Sequence, residues 1–241
     1  MTYVVAVLAS VVGLLRLAAL VEEQLLLLHA DGEGSATCWA APPTIEHNSR
    51  FKLEQVARLR AINEGREAPA TVEVDHRSPE TYRELASMPP GDVDVEQRGA
   101  TDELVDSLAG VADADLLDPS RHPWLRGRHL WLQVVVRGFW HPLGHVGGFF
   151  VEHGRPDQAV ALHTQVVAAA EYLDAPTPAL GMARYSLACA QAQARLNSAA
   201  LESLRRAVTE NADLMSNAGR DPDLAPLSQD PGFRELLSAP A

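Results

Sequence analysis

Residues Phe139 to Gly154 read FWHPLGHVGGFFVEHG, and the interpretation of the whole chain starts from this stretch. It contains His141 and His145, four residues apart, so on an α-helix the two imidazoles lie on one face about one turn apart. That spacing suits two ligands of a single metal ion. The competing interpretation is a kinked, tightly packed core helix that carries two polar side chains.

The helix predicted here departs from ordinary helix propensity. Gly138 precedes His141, and Gly148 follows His145, by one turn each, while Pro142 predicts a kink. Each glycine costs roughly 1 kcal/mol of helix stability relative to alanine. At about 100° per residue both glycines fall on the histidine face. We therefore expect them to clear space beside the imidazoles.

The flanking sequence predicts long helices and no convincing strand, which indicates an all-α helical bundle. In the second helix, Phe51, Val56, Leu59 and Ile62 form an apolar stripe at helical spacing. His47 lies one turn before Phe51, at the edge of that stripe, so its ring is expected to face the core or its border. The predicted long helices cover residues 4–29, 44–64, from Thr101 onward, and 129–153, with a short helix at 79–87 and loops at 31–43 and 118–127. Met88-Pro89-Pro90-Gly91 is expected to end the short helix, and Thr101 to cap the third long helix.

Residues 154–241 change to alanine-rich helical hairpins. Small and bulky residues fall at the spacings of a tetratricopeptide repeat, at Leu187, Ala188, Ala200, Leu204 and Ala207. The chain is therefore expected to consist of a bundle at 1–153 and helical hairpins at 154–241, packed as a continuation of the fourth helix. Hairpins of this kind could hold a protein partner.

Composition narrows the function classes. The chain of 241 residues is 46% hydrophobic and has a formal net charge of −12, and no basic cluster indicates nucleic-acid binding. Its two cysteines exclude a disulfide framework and favour a reducing, cytoplasmic setting. The apolar stretch 3–21 is long enough for a membrane anchor. Arg16, Glu22 and Glu23 favour a buried first helix instead.

With one histidine early in helix two and two more in helix four, the pattern resembles the DinB/YfiT-like four-helix bundle superfamily over about residues 5–153. Trp39, shortly before helix two, resembles the tryptophan of that family, and His47-Asn48-Ser49-Arg50-Phe51 resembles helix two of the ClbS/DfsB-related branch. The segment 177–237, with Arg220-Asp221-Pro222-Asp223-Leu224 near its end, resembles the short motif that closes groups of tetratricopeptide repeats.

The resemblance implies a zinc or nickel ion held by His47, His141 and His145, with one coordination position open. It also implies either transfer chemistry that uses a low-molecular-weight thiol or hydrolysis of a small molecule, of the detoxification or stress type. We expect the open position to face a pocket that includes Trp39, Phe51, Val134 and Trp140.

The alternative is a non-enzymatic interaction protein in which the repeat hairpins bind a partner and the histidines are vestigial or structural. Glu152 could orient a histidine, and Glu46 need not face the metal. Six further histidines are expected to be ordinary surface or hydrogen-bonded residues: His29, His76, His122, His129, His153 and His163.

Overall fold

The computed structural model describes residues 3–69 and 78–238, so His76 lies outside the described residues. The described chain is helical and contains no strand beyond a single isolated bridge between Ser35 and Cys38. The all-α prediction is therefore confirmed. The chain divides into two compact units, Met1–Phe149 and Phe150–Ala241.

The first unit is built from long helices and short connecting turns. α1 packs against both α2 and α4, and α2 packs against α4. The helices of this part of the chain are α1 (Tyr3–His29), α2 (Ala41–Asn63), α3 (Pro79–Leu85), α4 (Pro90–Ala109), α5 (Asp113–Leu117), α6 (Leu130–Val135) and α7 (His141–Glu152).

A π-helical turn, Val136–Trp140, joins α6 to α7. Its cause lies in the sequence, because Pro142 has no N–H to donate and its ring collides with the carbonyl four residues earlier. The π turn accommodates this break without ending the helix, and such turns are frequent at functional sites. The predicted helix at 129–153 is thus present, with its irregularity placed just before the proline.

Gly138 corrects the prediction that the glycines clear space for the histidines. A methyl group added there would lie 2.3 Å from Leu15 Cδ2 and 2.7 Å from Leu104 Cδ2, so this glycine allows α1 and α4 to approach closely. The π turn changes the helical register between residues 138 and 141, which invalidates the count at 100° per residue. Gly148 faces open space.

The start of α4 was predicted wrongly. Thr101 was expected to cap this helix, but it lies well inside a helix that begins at Pro90. Pro90 occupies the first helical position, where the missing N–H would have had no partner in any case. The buried Thr101 hydroxyl donates back to the carbonyl of Gln97 at 3.0 Å. The short helix α3 was predicted correctly, and Ser78 Oγ caps it by accepting from the amide of Thr81.

α1 is the one helix in the described part of the chain that is long and apolar enough to cross a membrane, over Val5–His29 with a mean hydropathy of 2.1. It buries Val11, Leu14 and Leu15 completely in the bundle. It also carries Glu22, which is fully buried and forms an ion pair with Lys52 of α2.

The second unit contains helices that pack on their neighbours in sequence, α8 on α9 and α9 on α10. Gly154 and Arg195, 41 residues apart, both adopt left-handed backbone conformations two residues before a helix begins. Ala159 and Ala200 are both fully buried at equivalent positions in these helices. The helices are α8 (Pro156–Tyr172), α9 (Thr177–Gln193), α10 (Asn197–Glu210), α11 (Met215–Ala218) and α12 (Pro231–Ser238).

Candidate metal centre

The structure brings His47, His141 and His145 together. One ring nitrogen from each lies within 4.8 Å of the corresponding nitrogen of the other two. The ring centroids are separated by 5.3 Å for His47 and His141, 4.7 Å for His47 and His145, and 4.4 Å for His141 and His145. The cluster therefore joins residues about ninety positions apart in sequence, from α2 and α7.

These residues fit a metal ion chemically. Neutral imidazole nitrogens are good ligands of zinc and nickel. In a tetrahedral zinc site with bonds of 2.0–2.1 Å, ligand nitrogens are about 3.3 Å apart. Closing the present arrangement to that spacing requires side-chain adjustments of about 1 Å at most, and His141 and His145 are only half-buried. The three side chains could thus hold one ion.

A polar network fixes the separation of the two helices that supply the histidines. Asn48 Nδ2 donates to Glu22 Oε1 at 2.9 Å and to the carbonyl of Pro142 at 3.4 Å. Asn48 directly follows His47, and Pro142 directly follows His141. The Asn48 side-chain amide therefore links α2, which carries His47, to the backbone of α7 beside His141.

Lys52 and Gln97 complete the network around the Glu22 carboxylate. Lys52 forms an ion pair with Glu22 and donates to Thr101 Oγ1 at 3.2 Å. Gln97 Nε2 donates to Glu22 Oε2 at 3.1 Å. Because the carboxylate accepts from three donors, one of which is the Lys52 cation, its burial is compensated. The network connects α1, α2, α4 and α7, and it includes Asn48, the residue that follows His47.

Aromatic rings cover the histidine cluster. The Phe51 ring stacks on His141 with centroids 3.9 Å apart, and Trp39 meets His47 edge-on at 5.7 Å. Two of the four predicted pocket residues thus contact the histidines. Of the other two, Val134 is fully buried and Trp140 is half-buried. Tyr82, which the sequence did not single out, lies 5.8 Å from Trp39.

Arg137 is a neighbour of the site that sequence reasoning missed. Its Cζ lies 4.6 Å from the centre of the Phe51 ring, the same ring that stacks on His141. Burial lowers the pKa of Arg137, and the neighbouring positive charge of Arg58 lowers it further. The available signal was its position four residues before His141, which on the regular helix predicted from the sequence would place it on the histidine face.

Two carboxylates lie on the helices that carry the histidines. Glu46 is buried and pairs with Arg50, its neighbour one turn along α2, at 3.1 Å. Burial raises the pKa of Glu46 despite that pairing. Glu152 is exposed at the end of α7.

A second group in the described residues, in the second unit, brings together Cys189, Asp221 and Asp223 with ligand atoms within 4.8 Å of one another. Burial raises the pKa of the Cys189 thiol well above its usual value, and Asp221 raises it further. A thiol that stays protonated is a poor metal ligand. Tyr185 Oη donates to Asp221 at 2.8 Å. The Asp221 carboxylate therefore accepts a hydrogen bond that joins α9 to the turn that begins at Pro222.

No protein-family model, no curated protein and no solved structure matches this chain.

Proposed function

We propose that His47, His141 and His145 bind one divalent metal ion, zinc or nickel, and that the chain is a metal-dependent enzyme acting on a small organic molecule. The observation that carries the proposal is the convergence of three imidazole nitrogens within 4.8 Å from two separate helices. The DinB-like resemblance of the bundle supports the same ligand set and a thiol-dependent transfer or a hydrolysis as the reaction. The two cysteines of the chain support a cytoplasmic setting.

His47, His141 and His145 would hold the ion as neutral imidazoles, and the bound ion would supply the Lewis acidity that lowers the pKa of a water or thiol. The residues of the chain have separate tasks. Asn48 holds the helix of His47 against the helix of His141 through the carbonyl of Pro142. Phe51 and Trp39 pack against the imidazoles, which restricts their rotation and keeps one side of the cluster apolar.

A small organic substrate suits this environment better than a sugar or a nucleotide. The rings packed against the imidazoles are those of Phe51 and Trp39, so apolar surface of the kind that lines small-molecule sites borders the cluster. The apolar surroundings would also strengthen electrostatic interactions at the reacting atoms, because fewer water dipoles oppose them.

The test is a paired activity screen. Tag-free protein loaded with zinc or nickel is assayed for thiol addition to electrophiles, with and without a low-molecular-weight thiol, and for ester and amide hydrolysis. We expect turnover that disappears in His141→Ala and persists in His122→Ala, a histidine of the same unit outside the cluster. Turnover that survives in His141→Ala would overturn the proposal.

A second candidate function is binding of a protein partner through α8, α9 and α10. It is supported by the sequential packing of these helices and by the very close approach of α9 to α10, where a methyl group on Gly181 would lie 2.9 Å from the Ala207 carbonyl. Full metal occupancy with no turnover in either screen would favour this candidate over the enzyme.

A further inference from the structure

Two arginines, Arg58 and Arg137, lie near one carboxylate, that of Glu54. Arg58 Nη2 lies 3.6 Å from Glu54 Oε2, and Arg137 Nη1 lies 3.8 Å from the same oxygen. Both separations are longer than a hydrogen bond between a guanidinium and a carboxylate, which is about 2.7–2.9 Å. Glu54 therefore offsets the charge of the pair only partly, and the three side chains together carry one surplus positive charge.

That surplus charge is buried. The side chain of Arg58 is 2% exposed and that of Arg137 is 11% exposed. Arg58 Nε donates to the carbonyl of Pro69 at 3.2 Å, whereas its Nη1 has no hydrogen-bond acceptor among the described residues. A buried guanidinium with an unused donor is costly unless an anion meets it. This arrangement is what a binding position for a monoanion requires.

The position adjoins the histidine cluster. Arg137 lies over Phe51 at 4.6 Å, and the same ring stacks on His141 at 3.9 Å. A ligand with its anionic group at Arg137 would thus extend along Phe51 toward the three histidines. A divalent ion on neutral imidazoles would add two positive charges, which favours an anion at this place still more.

We propose that Arg137 and Arg58 bind a carboxylate group of the substrate, so that the enzyme acts on a small organic acid whose reacting atoms lie at the histidine cluster. A carboxylate fits because it carries a single negative charge, equal to the surplus, and its two oxygens match the planar guanidinium. The placement of the reacting atoms rests on the proposed metal-dependent function. The carboxylate position itself does not.

The test uses benzoate and benzamide as probes, which are similar in shape and differ in charge. Isothermal titration is carried out on the full chain after treatment with a chelator. We expect benzoate to bind at least tenfold more tightly than benzamide, because the guanidinium discriminates through its charge. Equal binding of the two probes would overturn the proposal.

Variants assign the binding to the arginines. Arg137→Gln is expected to weaken benzoate binding at least tenfold, while Arg137→Lys, which keeps the charge, should bind more tightly than Arg137→Gln. The matched control is Arg60→Gln on the same helix as Arg58, where the side chain is 55% exposed and paired with Glu103. That control should leave benzoate affinity unchanged, and an equal loss in it would contradict the proposal.

Zinc stoichiometry measured in parallel separates this proposal from the metal-dependent function. Benzoate binding that depends on Arg137 in a chain that retains no zinc would support the carboxylate position and reject the metal site. Stoichiometric zinc together with benzoate binding that is indifferent to Arg137→Gln would reject the carboxylate position and leave the metal site standing. Far-UV circular dichroism of each variant checks that it is folded.

Discussion

The buried ion pair between Glu22 and Lys52 offers the sharpest test of how the bundle is held together. Both side chains are 0% exposed. Glu22 also accepts from Asn48 Nδ2 at 2.9 Å and Gln97 Nε2 at 3.1 Å. Replacing Lys52 with methionine keeps the apolar stem and removes the counter-charge. Because a buried carboxylate is then left without its cation, we expect Lys52→Met to reduce the free energy of unfolding by about 3–5 kcal/mol.

The double variant Glu22→Gln/Lys52→Met removes both charges. It no longer carries the cost of an isolated buried anion, so it should be more stable than Lys52→Met alone. The exposed ion pair of Arg60 and Glu103 provides the control. It joins α2 to α4, the same two helices that the hydrogen bond from Lys52 to Thr101 joins. Arg60→Met should cost no more than about 1 kcal/mol.

Urea unfolding followed by tryptophan fluorescence suits this comparison. All four tryptophans lie in the first unit, so their emission reports on the bundle and not on the hairpins. A loss below about 1 kcal/mol in Lys52→Met, equal to that of the surface control, would refute the reasoning. A double variant less stable than Lys52→Met would do so as well.

Two further predictions concern the second unit and the histidine helix. Burial lowers the pKa of His163 from 6.5 to about 4, so the unfolded chain binds more protons between these values and stability falls as pH drops. From pH 7 to pH 5 this one residue should cost about 2 kcal/mol, a loss absent in His163→Leu, as measured by chemical unfolding followed by circular dichroism. Gly138→Ala would place a methyl group against Leu15 and Leu104 and should destabilise by about 1–3 kcal/mol in thermal unfolding. Gly144→Ala meets open space and should stabilise by up to about 1 kcal/mol, and the opposite order of the two variants would contradict the packing.

Sequence alone indicated which side of its helix each histidine occupies, because that depends on local patterns. The grouping of His47 with His141 and His145 followed from the resemblance to the DinB/YfiT-like bundle. The four-residue spacing of His141 and His145 fixes their common face, and the apolar stripe that begins at Phe51 fixes the inward side of His47. The all-α class followed from the same helical periodicity. These features need no knowledge of which helix meets which.

What the sequence did not provide depends on contacts between distant segments. The role of Gly138 is set by Leu15 and Leu104 from other helices, and the π turn before Pro142 moves it away from the histidine face. The match between Glu22 and Lys52 joins residues thirty positions apart. A single sequence contains no local pattern that identifies such pairs, because they depend on which helices pack together.

The start of α4 was predicted wrongly for a different reason. In the sequence, Pro89 and Pro90 indicate the end of a helix and Thr101 indicates an N-terminal cap, because both residue types favour helix ends. The structure uses Pro90 as the first residue of a helix and Thr101 as a buried hydroxyl that meets Lys52. Proline and threonine each have two structural roles, and only burial distinguishes them.

The central claim, one metal ion on three histidines, is tested most directly by metal stoichiometry. Tag-free protein is loaded with zinc, dialysed and analysed by mass spectrometry of the metal. We expect about one zinc per chain in the wild type and little in His47→Ala, His141→Ala or His145→Ala, since three ligands are needed for a stable site. His122→Ala should retain the wild-type content. Wild-type protein that loses its zinc on dialysis, or a folded His47→Ala that retains it in full, would contradict a metal site on these three histidines.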